Sequence, residues 1–139
     1  MHCGMHSQEF TMQNACDTVK AYFDALIARD AETLIAMMLP VAHYVKIGTD
    51  ADEVIEGRDG IAAYYQSHIV STEDFSITVI NLDVQERDSV AWFYTRQMWK
   101  LKWQGEEEEF EMRMTGVLEK IDQTWKFAQI HASIGVPKS

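Results

Sequence analysis

Gln129, His131 and Ser133 stand at alternate positions in the run Trp125-Lys126-Phe127-Ala128-Gln129-Ile130-His131-Ala132-Ser133. Alternate side chains of a strand share a face. The three would then extend a face that begins with Trp125 and Phe127, opposite Lys126, Ala128, Ile130 and Ala132. Polar groups ending an apolar face cost free energy unless they find partners, and a sheet curving around a cavity offers them. His131 is the candidate acid/base. A neutral imidazole accepts a proton near neutral pH and returns it as imidazolium, which suits proton transfer beside a carbonyl. Gln129, Ser133 and Tyr94 would position a substrate or donate to an oxyanion. The same residues also read as ligand contacts without chemistry, or as a hydrogen-bonded pocket floor.

Arg113 and Thr115 share one face of the preceding strand, with Arg113 between Met112 and Met114. An inward arginine there would hold a carboxylate in bidentate fashion, and an outward one would lie beside Glu111. Arg96 carries the same two readings. His43, four residues before Ile47, reads as a second acid/base group or as an edge residue near solvent. His68 reads as a surface or boundary residue. Tyr22, Tyr64, Tyr65, Tyr94 and Trp99 supply cavity walls or core contacts.

These residues need a frame. Met12, Ala15, Cys16, Val19, Tyr22, Phe23, Leu26 and Ile27 recur at helical spacing. Asp30 can cap a second, short helix carrying Leu34, Ile35, Met37 and Met38, which Pro40 stops. A short strand over 43–48 and an acidic loop, Thr49 to Glu53, precede a third helix that Asp59 is placed to cap. The period then becomes two. Residues 75–86 alternate, with a parity shift at Val79-Ile80 that predicts a bulge. Turns at Arg87-Asp88, Gln104-Gly105 and Asp122-Gln123 separate four antiparallel strands. The prediction is an α+β fold, three N-terminal helices packed on a curved antiparallel sheet that forms a cone with an internal pocket.

The chain has 139 residues, 47% apolar and 24% charged, with a formal net charge of −10. That bounds it to a tail over 1–10 and one domain over 11–139. The acidic surface argues against nucleic acid, and no apolar run suits a membrane span. A cytoplasmic location is expected. Cys3 and Cys16 make no disulfide framework, and Cys16 reads as an inert buried thiol. Met1 to His6 could hold a soft metal but reads as a tail, and no paired ligand spacing predicts a metal or cofactor. Glu106 to Glu109 reads as a solvated hairpin tip. Trp92, Trp99 and Trp103, with Phe93, Tyr94 and Met98, exceed what one sheet face can use, which predicts a homodimer packed sheet to sheet.

Three stretches resemble the SnoaL-like group of the nuclear-transport-factor-2-like superfamily. They are Ile47-Gly48-Thr49-Asp50-Ala51-Asp52-Glu53 running to Glu56-Gly57-Arg58, then Arg113-Met114-Thr115-Gly116-Val117, and the closing Trp125-Lys126-Phe127 to His131-Ala132-Ser133. The resemblance spans about Met12 to Ser133 and implies a cone-shaped pocket, usually in a dimer. Ungapped matching places the aspartate base of similar ketosteroid isomerases at Ile47, between Lys46 and Gly48, and an aliphatic side chain takes no proton. Two functions stay open. One is a pocket protein for a small apolar carbonyl compound, acting without a cofactor by isomerisation, cyclisation or dehydration, with Arg113, Gln129, Ser133, Tyr94, Thr115, His43 and Trp99 as ligand contacts. The other is a non-catalytic dimerisation or ligand-binding module.

Overall fold

The computed structural model describes residues 14–40 and 43–136, with side chains left undescribed at 68–72. The expected tail over 1–10, the metal reading of Met1 to His6 and the side chain of His68 therefore lie outside the described residues.

Helix α1 (Ala15–Ala28) begins where the Asn14 side chain accepts a hydrogen bond from the Asp17 N–H at 2.7 Å. Glu86 takes the Ala15 N–H at 2.9 Å, placing a carboxylate at the positive end of the helix. Arg29 ends it in the left-handed region, its N–H returning to the Ala25 and Leu26 carbonyls. Of the expected apolar stripe Ala15, Cys16, Val19, Tyr22, Phe23 and Leu26 are buried, Ile27 is exposed, and Met12 lies outside the described residues. Cys16 is not a free thiol: it is disulfide-bonded, which corrects the inert-thiol reading. Cys3 lies outside the described residues.

Asp30 caps α2 (Ala31–Ala36) as expected, accepting from the Thr33 N–H and hydroxyl at 3.2 and 2.6 Å. The helix stops earlier than expected. Met37 to Leu39 instead exchange backbone hydrogen bonds with Phe127, and Lys126 Nζ donates to the Ala36 carbonyl at 2.6 Å. Helix α3 (Gly57–Ser71) starts two residues before Asp59, which falls in its first turn and is not its cap, correcting that expectation.

The strands are β1 (Val45–Ile47), β2 (Val54–Glu56), β3 (Thr72–Arg87), β4 (Val90–Trp103), β5 (Glu106–Ile121) and β6 (Thr124–Ile134). They form one sheet in the order β2-β1-β6-β5-β4-β3. The long strands are the expected antiparallel meander, and their turns carry the positive φ of Asp88, Gln104, Gly105, Asp122 and Gln123. Two details differ from expectation. The sheet is mixed, because β1 runs parallel to β6. Strand β2 is additional, since three residues are too few to show a period.

Bulges bend the sheet. The predicted one is present: the β3 register skips between Val79 and Asn81. Thr95 donates its hydroxyl to the Asn81 carbonyl there at 2.7 Å, and the Asn81 side chain accepts from the Arg96 N–H at 3.1 Å. β3 shifts register again between Glu73 and Ser76, and a further bulge lies in β6, where Leu118 pairs with Phe127 but Val117 pairs with Gln129, so Ala128 has no partner. Trp125 and Phe127 are buried before it, and Ile130 and Ala132 after it. The extra residue reverses the alternation. Gln129 and His131 therefore point outward, not along the face of Trp125 and Phe127.

The core lies between the helices and the concave sheet face. Tyr22, Phe23, Leu26, Leu34, Tyr65, Phe93, Leu118, Phe127 and Ile130 contribute to it. No helix among the described residues is long and apolar enough to cross a membrane.

Candidate functional site

The concave face carries alternate residues of each strand. On β4 these are Phe93, Thr95, Gln97, Trp99 and Leu101, and on β5 they are Met112, Met114, Gly116 and Leu118. On β1 the inward residue is Lys46, whose register partner is Ile130. Ile47 pairs with His131 on the opposite face.

Between this face and α1 and α3 lies a cavity of about 510 Å³. Trp99, Phe110, Met112 and Met114 form its sheet wall, and Tyr22, Leu26, Tyr64 and Tyr65 its helical wall. Its charged floor is Lys46, only 4% exposed. The ammonium lies 5.5 Å from the centre of the Tyr64 ring and 5.7 Å from that of Tyr65, within the range of cation–π attraction. Among the described residues no carboxylate forms an ion pair with it.

Glu53 joins the same cavity. Its carboxylate accepts from the Asp50 N–H at 3.0 Å, and its charge acts on the neighbouring Tyr64. A Cβ on Gly48 would meet that carboxylate at 2.5 Å, so Gly48 lets the loop close over β1. Burial first, then the Glu53 charge, pushes Tyr64 far above the usual tyrosine range. Tyr22 and Tyr65 share a buried hydrogen bond between hydroxyls at 2.8 Å. Trp99 donates its indole N–H to Gln97 Oε1 at 2.7 Å. That fixes the orientation of the amide and leaves Nε2 buried without a partner among the described residues.

Tyr94, Thr115, His131, Arg113 and Ser133 do come together, but on the outer face. They line a hollow of about 340 Å³ with Arg96. Arg113 donates from Nε to the Ser133 hydroxyl at 3.2 Å. Arg96 takes the carboxylate of Glu111 at 2.8 and 3.3 Å, which is the outward arrangement weighed for Arg113. Gln129 lies on the same outer face, lining a neighbouring depression with Tyr94 and Thr115. Of the two readings of Arg113 the outward one holds, with Thr115 on its face, while the expected shared face of Gln129, His131 and Ser133 with Trp125 and Phe127 is corrected, the bulge at Ala128 being the reason. His43 is exposed in the turn before β1, the edge placement of its two readings. Trp99 lines the cavity as expected.

Lys46 was visible only as a neighbour of Ile47. Its signal is parity: Tyr44, Lys46 and Gly48 alternate with Val45 and Ile47, and Tyr44 is completely buried. Glu108 was absorbed into the acidic hairpin tip, yet it lines the cavity. Its register partner is Leu101, whereas Glu107 and Glu109 face Lys102 and Lys100. Among the described residues no group of three or more His, Cys, Asp or Glu side chains is gathered to hold a metal ion.

Several solved structures share this architecture. A dehydratase candidate of the nuclear-transport-factor-2-like family from Streptomyces avermitilis superposes with a TM-score of 0.78 at 19% identity, covering 86% of this chain and 92% of that one. A ketosteroid isomerase-like protein from Erwinia carotovora atroseptica gives 0.73 at 19% identity, covering 87% and 93%. An uncharacterized protein with a cystatin-like fold from Caulobacter vibrioides gives 0.75 at 16% identity, covering 87% of each chain. At such identities the likeness is one of fold. No curated protein matches the sequence. The SnoaL-like domain family matches residues 16–137, nearly the whole described fold, and the chain belongs to that family.

Proposed function

We propose that the protein binds a small, largely apolar organic molecule in the helix-facing cavity, with a carbonyl or carboxylate oxygen held by Lys46. The observation that carries this reading is a buried ammonium without a carboxylate partner at the floor of an aromatic cavity. A buried charge is costly unless something offsets it, and a ligand oxyanion would do so. The chemistry that fits is cofactor-free proton transfer beside a carbonyl: isomerisation, cyclisation or dehydration. Lys46 would stabilise negative charge developing on the oxygen. Glu53, held in place by the Asp50 amide, would accept and return the proton. This supplies a carboxylate base from the loop after β1, where the sequence match had put Ile47. It also agrees with the ketosteroid isomerase-like and dehydratase names of two structural neighbours.

The test is exchange of α-protons of a cyclic ketone probe in deuterated water, followed by NMR, with binding read in parallel by quenching of tryptophan fluorescence. Exchange that disappears in Glu53→Gln and Lys46→Met supports the enzyme. Binding without exchange makes the protein a carrier or sensor. Absence of both overturns the reading.

A specific observation favours homodimerisation beside this activity. On the outer face Trp92 and Tyr94 are 40% and 48% exposed, next to the hollow of Arg113, His131 and Ser133. A second copy packed sheet to sheet would cover them and give those polar groups partners.

A further inference from the structure

Resting on that reading, we propose that the ligand is dipolar, with its oxygen end on Lys46 at the floor and an ammonium group at the mouth. The cavity wall is graded in charge. Lys46 is buried, whereas Asp50, Glu108 and Trp103 are exposed and mark the opening, with half-buried Glu53 between. Cation below and carboxylates above give the cavity a direction, and a molecule of the matching polarity is favoured over a simple anion.

The acidic mouth is assembled from two separate elements. Asp50 and Glu53 come from the loop between β1 and β2, and Glu108 comes from β5 across the opening. Among the described residues none of the three forms an ion pair. The hairpin shows why this is so for Glu108: Lys100 and Lys102 stand opposite Glu109 and Glu107, while Glu108 stands opposite apolar Leu101 on the cavity side. Trp103 adds an indole, 43% exposed, to the same rim. Carboxylates beside an aromatic face are the chemistry that recognises an alkylammonium group. A ligand with oxyanions at both ends would be repelled at the entrance. The ligand class is therefore an apolar or aromatic body carrying a carbonyl or carboxylate at one end and an amine at the other.

Isothermal titration at low ionic strength of 3-phenylpropionate and 3-[4-(aminomethyl)phenyl]propionate tests this on the intact chain. The aminomethyl compound is expected to bind about fivefold tighter or better, the sum of a rim ion pair and a cation–π contact. In the Asp50→Asn, Glu108→Gln double variant that advantage should shrink to about twofold, the share of the Trp103 cation–π contact that remains once the rim ion pairs are lost. In Asp88→Asn, Asp122→Asn, which removes equal charge from distant turns, it should persist. Equal affinities in the native protein, an advantage that survives the rim variant, or one lost equally in the turn variant would each overturn the dipolar ligand. If 3-phenylpropionate itself fails to bind, anchoring at Lys46 falls, and the dipolar ligand with it. If 3-phenylpropionate binds and the amine adds nothing, only the dipolar ligand falls.

Discussion

The hydroxyls of Tyr22 on α1 and Tyr65 on α3 meet at 2.8 Å in a region closed to solvent, a single polar bond joining two helices inside the core. Removing either hydroxyl strands the other. Tyr22→Phe and Tyr65→Phe are each expected to cost about 1–3 kcal/mol, while the double substitution should cost well under their sum, because it leaves no buried orphan. Urea unfolding of the three variants measures the cycle.

Lys46→Met separates stability from binding. Exchanging a buried cation for a side chain of similar volume should leave the unfolding free energy unchanged or raise it by up to about 2 kcal/mol. Affinity for 3-phenylpropionate should nonetheless drop about tenfold or more, the worth of a charge-assisted contact. Thermal unfolding and titration calorimetry on one sample read both effects. A protein that loses stability and binding together would show that Lys46 serves the fold.

Alkali should unfold the protein through its tyrosines. Burial, then neighbouring tyrosines, raises Tyr44 and Tyr65, and burial followed by Glu53 raises Tyr64, all from an ordinary value of 10.0. A group whose pKa is higher folded than unfolded holds its proton more tightly in the native state. Its contribution is therefore complete below pH 10 and is lost as the pH climbs above that value. Each such tyrosine removes up to about 1.4 kcal/mol of stability per pH unit. Denaturation midpoints between pH 9 and 11.5 should fall steeply, and tyrosinate absorbance should rise together with loss of helix.

Tyr44 should behave differently from the Tyr22–Tyr65 pair at neutral pH. Its hydroxyl is fully buried with no hydrogen-bond partner among the described residues. Tyr44→Phe is expected to stabilise by about 1 kcal/mol and to flatten the alkaline slope by one tyrosine's share. A loss of stability would mean that the hydroxyl is satisfied by ordered water.

Gly116 leaves no room for a side chain on the concave face. A Cβ there would lie 2.5 Å from Phe93 Cε1 and 2.8 Å from the Gln129 carbonyl oxygen, and the latter is backbone held in the β5–β6 ladder. Gly116→Ala should therefore cost about 2 kcal/mol or more, which a melting curve would show. Gly116→Ala combined with Phe93→Leu should recover only part of the loss, because the ring can yield and the carbonyl cannot.

Much of this arrangement was legible in the sequence. Asp30 marked the start of α2, Asp, Gln and Gly chemistry marked the turns, and the slip at Val79-Ile80 announced its bulge because apolar residues stand on both sides of it. The bulge at Ala128 left no such trace. Alanine is tolerated on either face, so Phe127-Ala128-Gln129 reads equally well with or without an extra residue, and an unbroken alternation carried His131 inward on paper. Lys46 was hidden for a related reason: a strand of three residues has no period of its own. Its facing is fixed by pairing with Ile130, eighty-four residues further along the chain.

The unpaired Ala128 also divides β6 into two territories. Before it, Trp125 and Phe127 hold the helices; after it, Ala132 and Ile134 form part of the cavity wall. Substitutions in the second territory can reshape the space for a ligand while the first continues to anchor the fold. Selection for a new ligand can thus act on the last few residues of one strand, and a combinatorial library of apolar residues at Ala132, Ile134 and the facing Met112 and Met114 would sample new specificities while Trp125 and Phe127 keep their hold on the helices.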